Sequence, residues 1–172
     1  MKRIVLAAVL ALGLAGCAGP NPGTAASSLG TVYTESDITA VTNEFSGLAG
    51  WDVSRQDMVM YLAQVPTIFE VLSRHGVDTS PERRVELANQ VSADNFGGIP
   101  AETMLPGTVD VIAAIQLADE LQQLAQVNPD VNNQIFELLR APHTYVNPRY
   151  AVTSPNGLMP SATFGDVLTP EQ

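Results

Sequence analysis

Ser54-Arg55-Gln56-Asp57-Met58-Val59-Met60-Tyr61-Leu62-Ala63-Gln64-Val65-Pro66-Thr67-Ile68-Phe69-Glu70-Val71-Leu72 is the stretch whose reading decides the fold. Met58, Tyr61, Leu62, Val65, Ile68, Phe69 and Leu72 recur at intervals of three and four, one helical face held for about four turns until Gly76. Ser54 with Asp57 resembles a capping box at its start. The stripe keeps its phase across Pro66, so one kinked helix from about 55 to 75 is expected, although an internal proline ordinarily breaks a helix. Beyond the stripe, Met58-Val59-Met60-Tyr61-Leu62 is apolar all round, and Met60 and Val71 fall opposite Leu62 with Thr67 beside them. Such a helix either lies at the centre of a bundle or exposes an apolar groove.

Helical patterns continue on both sides. Thr34 and Asp37 precede Ile38, Val41, Phe45 and Leu48, which sets a first helix at about 35 to 47. Ser80-Pro81-Glu82 is an N-cap followed by a proline at the first helical position, with Val85, Ala88 and Val91 carrying a third helix to about 93. A fourth is expected from about 108 to 126, with Val111, Ala114, Ile115, Leu117, Ala118, Leu121 and Leu124 on its apolar side. Asn128-Pro129 introduces a fifth, about 129 to 140, through Val131, Ile135, Leu138 and Leu139. After Pro142 the texture alternates: Val146, Tyr150 and Val152 share a face, and Ser154-Pro155-Asn156-Gly157 reads as a turn into a brief Leu158-Met159 strand. Pro148 makes this an edge or bulged strand, and Thr31-Val32-Tyr33 is its expected partner. The fold class is therefore mainly α: about five helices with a kinked second helix, plus a small antiparallel β-element joining the two ends.

The beginning of the chain reads as an export signal. Lys2-Arg3 is followed by an unbroken apolar run from Ile4 to Leu12 and by Leu14-Ala15-Gly16-Cys17. That run is shorter than the roughly 20 residues a bilayer-spanning helix takes. Leu-Ala-Gly-Cys matches the lipobox of bacterial lipoproteins. The resemblance implies cleavage after Leu14, Ala15 and Gly16, removing residues 1–16, and acylation of Cys17, whose two diacylglyceryl chains give a stable anchor. Small, turn-forming residues then run uncharged to Gly30, so residues 17–30 are expected to be a flexible tether, 31–161 the folded domain and 162–172 a loose tail.

Composition narrows the function. The 172 residues carry 18 acids against 8 bases, and without Lys2 and Arg3 six arginines and no lysine remain, twelve net negative charges. Such a surface repels phosphate backbones, so no nucleic-acid partner is expected. Cys17, the single cysteine, leaves no intramolecular disulfide. His75 lies at a helix end and His143 at a strand entry, neither in a catalytic motif. No serine sits in a Gly-x-Ser-x-Gly elbow, and the mature chain has no lysine to act as a base. Asn128, Asp130 and Asn132 have calcium-loop spacing, but Asn133 and Leu139 stand where that loop needs Gly and Glu. No enzyme activity, metal or cofactor is expected.

Gly30-Thr31-Val32-Tyr33-Thr34-Glu35-Ser36-Asp37-Ile38, the helical middle, and Tyr145-Val146-Asn147-Pro148-Arg149-Tyr150 together resemble the SurA-type N-terminal chaperone domain of exported lipoproteins, over about residues 29 to 161. The resemblance implies an opening strand, a helical body and a returning C-terminal segment, without a parvulin isomerase domain. It also implies a lipoprotein on the extracytoplasmic face of the cell membrane, held through Cys17, that binds unfolded or extended segments of exported proteins. Met58, Met60, Tyr61, Phe69 and Val71 would be the client-binding side chains, methionine suiting varied partners. The alternative is an adaptor or structural lipoprotein that docks one specific envelope protein.

Overall fold

The computed structural model describes residues 23–140 and 142–150. Residues 1–22 lie outside that range, with the signal, the cleavage residues Leu14, Ala15 and Gly16, and Cys17; so do residues 151–172, with the expected Ser154–Gly157 turn and Leu158-Met159 strand. In chain order the elements are β1 (Thr24–Ser28), β2 (Thr31–Thr34), α1 (Glu35–Ala49), α2 (Arg55–Arg74), α3 (Pro81–Asn95), a 3-10 turn (Ala101–Thr103), α4 (Pro106–Gln116), α5 (Ala118–Val127), α6 (Asp130–Leu138), β3 (Thr144–Val146) and a second 3-10 turn (Pro148–Tyr150). The fold is mainly helical with a small antiparallel sheet, as the periodicity predicts, and the described residues form six α-helices, close to the five or so expected.

α2 is the axis of the molecule. It runs unbroken through Pro66, although proline there has no N–H to give the Leu62 carbonyl. Ser54 Oγ accepts from the Asp57 amide at 3.1 Å and starts the helix. The stripe residues are all buried, and so are Val59, Ala63, Gln64, Thr67 and Val71 on the other sides. α2 therefore packs on β1, β3, α1, α4 and α6 at once, the central position rather than a groove wall.

The sheet corrects the expected tether. Residues 24–30 are not part of a flexible linker: β1 is the middle strand, in the order β2-β1-β3, antiparallel to both neighbours. Its residues are small because α2 lies directly on it. Ala25 and Ala26 are fully buried, and Ser28 Oγ lies 3.1 Å from Thr144 Oγ1 and 3.5 Å from Thr67 Oγ1 of α2. β1 turns into β2 through Leu29 and Gly30, both at positive φ (48° and 86°), the backbone of a tight hairpin. Thr31-Val32-Tyr33 consequently pairs with β1 and not with the C-terminal strand. β3 takes the other edge, Ala26 facing Val146 and Ser28 facing Thr144. The alternating pattern stops at Val146, where Pro148–Tyr150 coils into a 3-10 turn.

The expected helix 108–126 is two helices. α4 is buried over Val109, Val111, Ile112, Ala113, Ala114 and Ile115, whereas α5 has no buried residue. The chain changes direction at Leu117, itself 1% exposed, so that one helix stays in the core and the next lies across the surface. Gly107 opens α4 against α1: a β-carbon there would meet Val41 Cγ2 at 2.8 Å. Phe45 of α1 meets Phe96 edge to face, 6.4 Å between centroids, closing the core at the end of α3.

Two changes test the strand–helix contact. Ala26→Asp places a carboxylate with no partner in a sealed contact and is expected to abolish the cooperative thermal transition seen by circular dichroism. Deleting residues 18–22 is expected to leave that transition in place. A folded Ala26→Asp protein would take β1 out of the core.

Candidate functional site

The side chains expected to meet a client are part of the interior. Met58 and Val71 are fully buried, Tyr61 is 5% and Phe69 9% exposed, and Met60 is partly buried against the main core. They are brought together by α2, and all of them but Met60 are buried. The exposed large apolar side chains among the described residues are Val32 on β2, Ile99 after α3, Val127 at the end of α5 and Phe136 on α6.

A concave site lies elsewhere, between α3 and α4, with a volume of about 320 Å³. α3 contributes Pro81, Arg84 and Val85; the turn region contributes Ala101, Glu102 and Met104; α4 contributes Pro106, Val109 and Asp110. Ala101, Met104 and Val109 are buried and form its apolar floor, while Pro81, Glu102 and Pro106 are exposed at its rim. Prolines open both helices, their fixed φ suited to that position. The wall between the helices is fastened by side chains. Asn89 accepts from the Ala101 amide at 2.8 Å and donates to Glu102 Oε1 at 3.2 Å; Ser92 Oγ donates to the Ile99 carbonyl at 2.7 Å. The Leu105 amide donates to Glu44 Oε2 of α1 at 2.9 Å. The groove is thus a rigid feature of the body.

One ion pair spans it. Arg84 Nη1 donates to Asp110 Oδ1 at 2.7 Å, with the side chains 22% and 25% exposed. The Arg84 guanidinium also stacks 4.9 Å over the Phe69 ring, and its Nε–H is sealed from solvent without a hydrogen-bond partner. Burial raises the Asp110 pKa above the usual carboxylate value, and the attraction and hydrogen bond of Arg84 offset only part of that. Tyr33 of β2 feels the same pair: burial first, then the Asp110 charge, push its phenol well above the ordinary value, with Arg84 opposing. Burial and the Asp110 charge thus both favour the protonated phenol.

The remaining candidates make the following contacts. His75 caps α2, its amide donating to the Leu72 carbonyl at 3.0 Å, and the His143 carbonyl accepts from Leu29. Asn128 Oδ1 accepts from the Asp130 amide at 3.1 Å and begins α6. Among the described residues no group of three or more His, Cys, Asp or Glu could hold a metal ion, and no helix is long and apolar enough to cross a membrane. The sequence reading overlooks the groove because Arg84 and Asp110 belong to helices whose pairing no local pattern shows. The one available sign is the doubled Arg83-Arg84, of which only Arg84 turns inward.

Comparison with protein-family models, with curated proteins and with solved structures finds no match to this chain. The likeness to SurA-type domains rests on the residues quoted for it.

A carboxyl whose pKa is higher in the folded than in the unfolded state favours folding fully only below the unfolded value, and that contribution is lost as pH rises through the folded one. The unfolding free energy of the parent, measured against Asp110→Asn by urea denaturation, is accordingly expected to fall as pH rises from the ordinary carboxylate range through the raised value of Asp110. A difference that grows with pH would contradict the direction of the shift.

Proposed function

We propose that this chain is a membrane-anchored extracytoplasmic lipoprotein that docks one specific envelope protein and performs no catalysis. The observation that carries this reading is the burial of α2. Loose capture of unfolded chains needs a broad apolar surface open to solvent, and Met58, Tyr61, Phe69 and Val71 are sealed in the core. A small rigid depression with an apolar floor and a charged rim suits instead a single well-defined contact, where one or two inserted side chains carry most of the affinity. Among the described residues, Met58, Tyr61, Phe69 and Val71, expected to serve a chaperone-like role, are closed to solvent, which weighs against that role.

The fold also sets the reach. With Cys17 acylated and β1 beginning at Thr24, only residues 18–22 and Gly23 separate the lipid from the sheet, at most about 25 Å of chain. The domain rides close to the bilayer, and its partner must present a surface there.

Cys17→Ser is expected to shift the protein from the membrane to the soluble extracytoplasmic fraction. In cells, a photo-crosslinking residue scanned over the exposed surface of the lipidated protein should give one discrete, saturable adduct. The soluble Cys17→Ser form should leave the aggregation of a denatured model protein unchanged at equimolar ratio. A ladder of many adducts together with slowed aggregation would return the function to chaperone-like binding.

A further inference from the structure

We infer that the groove between α3 and α4 receives a cationic peptide segment of the partner, one apolar side chain seated on its floor and flanking arginine or lysine groups held at its rim. The inference rests on the docking function proposed above and gives that function a site. The floor of Ala101, Met104 and Val109 offers apolar contact and no hydrogen-bonding side chain. At the rim, the polar groups left over are acceptors. Glu102 is exposed and gives only Oε1 to Asn89, and Asp110 gives only Oδ1 to Arg84. The one cation, Arg84, is occupied by Asp110 and by the Phe69 ring, and its spare Nε–H is out of reach of solvent. Several of the backbone donors at the two helix starts are also taken. The Arg83 amide goes to Ser80 Oγ, the Arg84 amide to the Ser80 carbonyl, and the Thr108 and Val109 amides to the Leu105 carbonyl.

Charge selects among possible occupants. Within the groove the charged side chains sum to one negative, with Glu82 and Asp78 nearby in the chain, and the mature protein is strongly acidic. A second copy would bring like charge to this rim. The chain's own residues 151–172 hold Asp166 and Glu171 and no base, so they fit poorly. A basic partner segment is drawn to it and meets the carboxylate oxygens that Asn89 and Arg84 leave unbonded.

The test uses the full mature chain carrying Cys17→Ser and two-dimensional amide NMR. Three capped peptides are titrated: one leucine flanked by arginines, the same leucine flanked by glutamates, and serine flanked by arginines. The arginine–leucine peptide is expected to shift resonances of Val85, Glu102, Met104 and Asp110 and to bind about tenfold more tightly than either control. Glu102→Lys and Val85→Lys, both at solvent-accessible positions, should each weaken it about tenfold while the rest of the spectrum stays folded. Preference for the glutamate peptide, shifts scattered over all acidic faces, no binding, or unchanged affinity in both variants would overturn the inference. So would groove shifts on removing residues 162–172, which would seat the chain's own tail there, or shifts with protein concentration alone, which would seat a second copy. The two proposals separate in cells. A discrete adduct that survives Glu102→Lys and Val85→Lys discards the groove and keeps the docking function, whereas absence of any discrete adduct discards that function.

Discussion

The contact between α2 and β1 is the constraint from which the rest of this structure follows. A helix buried over most of its circumference needs neighbours on several sides, and a strand that lies flat against it must have side chains small enough to let the backbones approach. Ala25, Ala26 and Ser28 meet that need, and Thr67 on the helix answers Ser28 with a hydroxyl rather than a branched carbon. With β1 fixed in the middle, its two edges take β2 and β3, which brings the two ends of the domain together. Glu35 then locks the junction. Its carboxylate pairs with Arg55 at 2.8 Å and with Arg149, and accepts the Tyr150 hydroxyl, so that the starts of α1 and α2 and the returning C-terminal segment share one anion.

What was legible in the residues was whatever had a period or a cap. The phase of α2 survives Pro66 because the side chains after it still need the same interior, and that need outweighs one lost hydrogen bond. Thr34 and Asp37 form the capping box that their spacing suggests, and Ser80 with Pro81 opens α3. β1 was illegible for a physical reason. Small residues without charge mark both a free linker and a strand pressed against a helix, and only the partner distinguishes them. The hairpin gave little help, since Leu29 stands at positive φ where asparagine or aspartate is usual. Its side chain is held there by packing against the small cluster of Val71, Val131 and Leu138. The division at Leu117 is hidden likewise, because the apolar face of α4 and α5 continues through it while the burial does not.

The electrostatics follow from how few cations the chain has. Arg74 pairs with Glu70 and Arg83 with Glu86 along their own helices, Arg55 and Arg149 converge on Glu35, and Arg84 crosses to Asp110. The first two are pairs at helical spacing open to solvent, which screens them. The Glu35 and Arg84 pairs tie elements distant in sequence, and Arg84 is also drawn partly out of water. With five cations so engaged, the surplus acids face solvent uncompensated, which keeps the surface soluble and directs any field-driven encounter toward a positive partner.

A sealed core and a short leash bear on the same functional question. Under the anchoring proposed for Cys17, a domain held within about 25 Å of its lipid meets membrane-associated proteins at high effective concentration, so even a contact of modest intrinsic affinity is saturated there. Under that condition a broad apolar surface would be a liability, since it would bind whatever unfolded chain or lipid came near. Selectivity then has to come from a small site in which shape and charge must both match. The groove between α3 and α4 joins a floor of buried apolar side chains to carboxylates whose free oxygens only a cation satisfies. Its walls are pinned by Asn89, Ser92 and Glu44, so little ordering of the body accompanies binding, and affinity depends on the partner's side chains rather than on rearrangement of this domain.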